Sequence, residues 1–231
     1  ERALLCRLSV FAGGWTLEAA EAVCSGDPVE DGEVLDLLTS LADKSLVVSE
    51  TAGASVRYRL LETVRQYARD RLLESGGGAE WRDRHLAHFL ALVEEPPPHL
   101  RGDPQAWLER LETEHDNLRA ALEWATEGVG ETPGDMGLRL ANALWGFWYV
   151  RGHFGEGRER LARVLAASGE ADGAVRAKVL NGAGLLAQSQ SDFAAARGLF
   201  EESLALSRER GDRGNIAYAL RYLGSLARDW G

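Results

Sequence analysis

Cysteine, lysine and long apolar runs are all scarce in this chain. Only two cysteines occur in 231 residues. Cys6 and Cys24 both sit on apolar helical patterns, so two buried free thiols in a reducing cytosol are favoured, with one bridge left open. No apolar run approaches the ~20 residues of a membrane span, and no basic stretch followed by an apolar one opens the chain. A cytoplasmic location without a membrane partner is expected. No P-loop, Ser/His/Asp spacing or cofactor fingerprint occurs, so neither catalysis nor a cofactor is expected within this segment. Of 26 basic residues only Lys44 and Lys178 are lysines, and 36 acids leave a net charge of −10. That balance argues against nucleic acid or an anionic membrane as the partner of the whole surface.

What is present is globular: 45% hydrophobic and 27% charged residues, enough for one or two domains. The chain opens Glu1-Arg2-Ala3, already in a helical pattern and without Met, and reads as a piece of a longer protein. The apolar spacing predicts helices over 1–10, 17–24 and 31–44, strands over 46–48 and 56–60, and a helix over 62–74 with Val64, Tyr67, Ala68 and Leu72 inward. Thr16 is a candidate N-cap. Three helices, a β-hairpin and a helix make a winged-helix pattern over residues 1–75. Gly76-Gly77-Gly78 then reads as a joint. A helical connector over 76–133 follows, with helices over 81–94 and 105–127. Pro96-Pro97-Pro98 breaks the chain between them, and Pro104 suits a first helical position.

Residues 134–231 repeat internally. Gly152-His153-Phe154 with Leu161 and Leu165 matches Ser191-Asp192-Phe193 with Phe200 and Leu204. Leu180, Ala183, Gly184 and Ala187 match Leu220, Leu223, Gly224 and Ala227. The unit is two antiparallel helices joined at a small residue. It resembles the tetratricopeptide repeat, with Gly184, Phe193, Ala196 and Phe200 at the expected places, although the period exceeds the usual ~34 residues. Small residues there let helices approach while an aromatic fills the gap to the next pair. On this register Trp230-Gly231 should open a further turn, so the last repeat is truncated. The expected fold is mainly α, a winged helix followed by a helical-repeat superhelix.

Four segments together extend the resemblance. They are Leu8-Ser9-Val10-Phe11 with Gly13-Gly14-Trp15, Leu41-Ala42-Asp43-Lys44-Ser45-Leu46-Val47, 58–68 (Tyr58 to Ala68), and 114–122 (Glu114 to Leu122). As a set they resemble bacterial signal-transduction ATPases of the STAND class with an NB-ARC-type module. The resemblance implies a non-catalytic sensor segment. The winged helix would restrain an upstream ATPase module that uses ATP and ADP, and the repeats would bind a protein, peptide or small-molecule signal. Many relatives carry a Met-His-Asp motif at the nucleotide phosphate; here those positions are Leu60-Leu61-Glu62. Leu61 cannot donate a hydrogen bond. Glu62 keeps only the acid, and Arg65 is the remaining candidate for nucleotide sensing.

A winged helix can also place its third helix in the major groove. That helix carries Asp31, Glu33, Asp36 and Asp43 against Lys44 alone, which disfavours direct DNA binding; Arg57 and Arg59 on the hairpin are a small counter-signal. A DNA-binding transcription regulator and a passive tetratricopeptide adaptor are the alternatives to the sensor segment. His85 and His88 share a helix face but lack a third zinc ligand, so a partly exposed helix surface is expected. His115-Asp116 reads as a polar face that bonds to the winged helix, and Trp145 and Trp148 as core. In the tetratricopeptide register the concave face presents Arg139, Asn142, Tyr149, Lys178, Asn181, Gln188, Tyr218, Arg221 and Arg228. That excess of positive charge predicts an acidic peptide or other anionic partner.

Overall fold

The computed structural model describes residues 1–52, 55–96, 100, 102–127, 134–169 and 173–230. It divides into two compact units, Glu1–Trp124 in one and the helices from Gly134 onward in the other. The architecture is mainly α, with one two-stranded antiparallel sheet among the described residues. No described helix is long and apolar enough to cross a membrane.

The first unit runs α1 (Arg2–Leu8), α2 (Leu17–Cys24), a 3-10 turn (Asp31–Glu33), α3 (Val34–Asp43), β1 (Val47–Ala52), β2 (Ser55–Leu60), α4 (Glu62–Glu74), α5 (Gly78–Glu94), α6 (Pro104–Thr113) and the start of α7 (His115–Thr126). Thr16 caps α2, its hydroxyl accepting from the Ala19 N–H at 3.3 Å. Asp103 caps α6 ahead of Pro104, which gives up no helical hydrogen bond at that position. The core gathers Leu4, Leu8, Phe11, Ala20, Val23, Val34, Leu38 and Leu86, each fully buried. The hairpin pairs Val47 with Leu60. A third edge is a single residue: Trp15 and Tyr58 exchange N–H···O bonds of 2.9 and 2.8 Å. One residue has no periodicity, so this edge leaves no trace in the pattern.

Several expectations need correction. The strands are longer than the apolar pattern suggested, and residues 53 and 54 of the expected turn lie outside the described residues. So do Pro97 and Pro98, most of the expected 128–134 loop, and Gly231. Tyr67, expected inward, is 58% exposed. The helix expected over 105–127 is two helices broken at Glu114 (φ −96°, ψ 6°). His85, expected near the surface, is 3% exposed and packs edge-on against Phe11 at 5.2 Å. α5 is held close by Trp81, whose ring is stacked by the guanidinium groups of Arg7 (3.9 Å) and Arg84 (4.8 Å). Arg7 also donates to the carbonyls of Cys24, Gly26 and Asp27. Cys24 is buried, Cys6 is half-buried, and both are free thiols.

The second unit runs α8 (Gly134–Arg151), α9 (Phe154–Ala167), α10 (Gly173–Ser189), α11 (Phe193–Arg210) and α12 (Arg213–Trp230). The repeat is visible in the backbone. The His153 N–H donates to Trp148 O (2.9 Å) and the Asp192 N–H to Ala187 O (3.0 Å), an offset of 39 residues for donor and acceptor alike. Gly152 and Ser191 take the left-handed conformation at those turns (φ +78° and +62°). α10 packs against α8, α9, α11 and α12, and residues 179–187 are buried on every side. Glycine makes this possible. A Cβ on Gly184 would lie 2.6 Å from Phe200, and one on Gly182 2.6 Å from Trp145.

Two outcomes are expected. Gly184→Ala destabilises the second unit by about 1–3 kcal/mol through the clash with Phe200. Gly198→Ala, where an added Cβ meets nothing within 4 Å, stabilises it by about 0.5–1 kcal/mol; urea denaturation followed by circular dichroism checks both. In the first unit, burial pushes the His85 imidazole down to about 3, against the opposing effect of its hydrogen bond with Asn117. The unfolded chain takes up a proton below its ordinary pKa of ~6.5 and the folded chain does not. Stability therefore falls as pH drops below ~6.5, by up to about 1.4 kcal/mol per pH unit. His88, also lowered by burial, acts in the same direction. His85→Gln should remove most of the slope in urea titrations at stepped pH.

Candidate functional site

Within the first unit, β2 and the α6–α7 corner meet at a buried ion pair. Arg57 donates to Glu114 through Nη1 (2.6 Å) and Nη2 (3.2 Å), and Nη2 also reaches the Gly14 carbonyl at 2.7 Å. Glu114 is 2% exposed. Arg110 supplies a second cation at 3.3 Å. The Asn117 amide group donates to Glu114 (3.0 Å) and to Gly14 O (2.9 Å). Its oxygen accepts from the Ala12 and Gly13 N–H groups. Gly14 is tightly placed here, since an added Cβ would stand 3.0 Å from the Tyr58 carbonyl. The neighbours of His115-Asp116, Glu114 and Asn117, bond to the winged helix. His115 is buried, and Asp116 pairs with Arg119 at 3.2 Å.

The face that a winged helix would turn toward DNA is short of free positive charge. On α3 the exposed residues are Leu35, Asp36, Thr39 and Asp43. Lys44 pairs with Glu1 at 2.5 Å and Arg59 with Glu50 at 2.8 Å. Arg57 is committed to Glu114. The candidate nucleotide-sensing residues pair with each other: Arg65 holds Glu62 through contacts of 2.8 and 3.0 Å. This keeps the Glu62 carboxyl below its ordinary pKa although it is exposed.

In the second unit the expected partner-facing residues separate. Arg139 pairs with Asp135 (3.7 Å) on its own helix. Asn142 is half-buried and Arg228 exposed. Asn181, expected on the open face, is 3% exposed and donates to Asn215 at 3.3 Å, because α12 packs over that part of α10. Lys178 is exposed and Gln188 half-buried. Tyr149 is 43% exposed and within electrostatic reach of the Tyr218 hydroxyl. Tyr218 and Tyr222 have ring centroids 4.7 Å apart. Arg221 stacks over Tyr222 (4.7 Å) and Tyr218 (5.8 Å) and donates to the Tyr222 hydroxyl at 2.6 Å. Burial raises the Tyr218 pKa, helped by its hydrogen bond with Tyr222. Trp145, expected in the core, is half-buried and joins this cluster, as does Tyr222, which does not stand out in the sequence register. Their signals are bare Gly182 opposite Trp145, and Tyr222 standing next to Arg221. Trp148, expected in the core, is 1% exposed.

The buried pair yields a stability test. Glu114→Ala should cost about 3–5 kcal/mol by stranding Arg57 in a dry site. Combined with Arg57→Ala, the loss should fall short of the two single losses added together by more than about 1 kcal/mol, as measured by denaturation of all four proteins.

Residues 1–73 match the family described as "Winged helix-turn-helix domain". Over 240 aligned residues the chain is 36% identical to proteins named "Putative HTH-type transcriptional regulator" from Mycobacterium tuberculosis (strain H37Rv) and Mycobacterium bovis, with 97% of this chain covered. It spans about a quarter of their length, 26%. A third relative, an uncharacterized protein of Mycobacterium tuberculosis, is 43% identical over 97 residues, 42% of this chain and 24% of its own. No solved structure matches. The first unit thus opens with a winged helix-turn-helix domain, in a chain homologous to proteins named as HTH-type transcriptional regulators.

Proposed function

We propose that this chain is the winged-helix and helical-repeat segment of a DNA-binding transcription regulator. The observation that carries this reading is the winged-helix match over residues 1–73, together with similarity along 97% of the chain to proteins named as HTH-type regulators. These findings favour a regulator over the sensor segment of a STAND ATPase. The relatives are named as regulators and not as enzymes, in keeping with a non-catalytic role. In this reading α3 is the helix offered to the major groove and the β1–β2 hairpin is the wing.

One observation favours a second reading. The exposed face of α3 is acidic, and the hairpin arginines are already paired. DNA affinity rests on phosphate neutralisation. A winged helix of this charge suits a contact within the regulator, such as restraint of another module, better than a duplex.

Fluorescence anisotropy of the 231-residue chain with a labelled random-sequence duplex separates the two. DNA binding predicts an affinity that falls log-linearly with salt, by about 0.9 per phosphate neutralised. It also predicts that Asp36→Lys with Asp43→Lys tightens binding about tenfold. Absence of duplex binding at low salt would reject the DNA-contact role and leave the internal-contact reading.

A further inference from the structure

In the first unit, α1 packs against both α4 and α3. A cavity of about 500 Å³ lies among these helices and the start of the hairpin. Its apolar lining comes from Leu5 and Cys6 of α1, Leu41 of α3 and Leu46 just before β1. Leu41 is 1% exposed and Leu5 8%, so the floor is closed. Tyr67 and Arg71 of α4 supply a further wall. This gives Tyr67 a place in the fold. Its apolar spacing aims it inward, and the structure leaves its ring largely exposed beside this cavity.

The charges around the cavity are not balanced. Glu1 is the acid among the lining residues. It is committed to Lys44 (2.5 Å) and to the Ser40 hydroxyl (2.8 Å). Arg71 pairs with Glu74 at 2.7 Å and lies 5.5 Å from the Tyr67 ring centroid. Arg2 is exposed and, among the described residues, has no acidic partner. A positive charge is left over, and it is felt inside. Burial raises the Cys6 thiol above its ordinary pKa, and the charges of Arg71 and Arg2 both oppose that shift.

We propose that this cavity binds a small amphipathic monocarboxylate, its carboxylate on Arg2 and Arg71 and its apolar body against Leu5, Leu41, Leu46 and Tyr67. Small-molecule sites hold roughly 300–1,000 Å³ and are mostly apolar, with a few placed polar groups. Guanidinium groups are well matched to a carboxylate. The surplus charge suits a monoanion better than a phosphate group, which brings about −1.5 to −2. A protein partner would need about 800 Å² of surface on each side. Here two exposed ion pairs, Glu1 with Lys44 and Arg71 with Glu74, interrupt the surface beside the cavity. Leu41 and Leu46 flank the turn from α3 into the hairpin, so the ligand touches the segment that joins the third helix to the wing. Binding there does not depend on whether the winged helix contacts DNA.

The probes are decanoate, decanol and decylamine, which share an apolar tail and differ in the head group. The N-terminal amine of the chain is acetylated so that it adds no charge beside Arg2. Cys24 is fully buried, so N-ethylmaleimide reads Cys6 alone in the folded chain. At ten times its Kd, measured by calorimetry, decanoate should slow Cys6 alkylation about tenfold. Decanol should bind about fivefold more weakly, and decylamine should give no protection. Arg2→Glu should weaken decanoate binding about fivefold without lowering the Tm, since an acid suits the first turn of α1. Leu46→Trp, a change at a half-buried position, should fill the cavity and abolish protection. Failure of decanoate to protect, equal protection by decylamine, or binding unchanged by Arg2→Glu would each overturn the proposal. So would protection of Cys6 by raised protein concentration alone, which would assign the face to a second copy.

Discussion

A carboxylate that is 2% exposed cannot be left uncompensated, and the first unit is arranged around compensating Glu114. The groups that do so come from β2, from α6 and from α7 itself. Asn117, bonded to the same carboxylate, passes the constraint on to the backbone of 12–14. One buried charge thereby explains three features that look unrelated. The helical pattern over 105–127 breaks at Glu114, which sits as a corner residue with its carboxylate on Arg57. Gly14 carries no side chain where β2 comes close, its Cβ position 3.0 Å from the Tyr58 carbonyl and 3.5 Å from Arg57 Nε. And Arg57 is withdrawn from the wing surface, where a basic residue would face a ligand. The same interaction that makes the α6–α7 corner part of the winged-helix unit also lowers the usable positive charge of the hairpin.

Much of this was legible in the sequence as separate signals. The element order of the winged helix followed from apolar spacing, Thr16 from capping chemistry, and the repeat from the recurrence of small and aromatic residues at fixed offset. The segments 11–15 and 114–117 were each singled out, but nothing in a linear pattern says that they touch. They meet directly through Asn117 and again through Arg57, and an arginine in a strand reads first as a surface residue. His85 shows the same limit. Its helix position fits either a solvated or a buried face, and only Phe11 and Phe89 on either side decide for burial. Among the residues expected to face a partner on the repeats, Asn181 failed because helical register fixes a direction and not what covers it. α12 lies over that part of α10 and takes up its amide.

The second unit rests on a different constraint, close approach. α10 has no polar stripe because it has no open face along its centre, and glycine at 182 and 184 is what lets Trp145 and Phe200 close over it. This packing also sets which polar side chains α10 leaves open: Lys178 is exposed and Gln188 half-buried, toward its two ends. The −10 net charge of the chain is then a poor guide to recognition in either unit. Acids dominate the exposed face of α3, where a DNA-reading domain needs bases, and unbalanced bases stand on α10 and α12 in a chain rich in acids. Charge placement in both units is set by which cations the fold has already consumed.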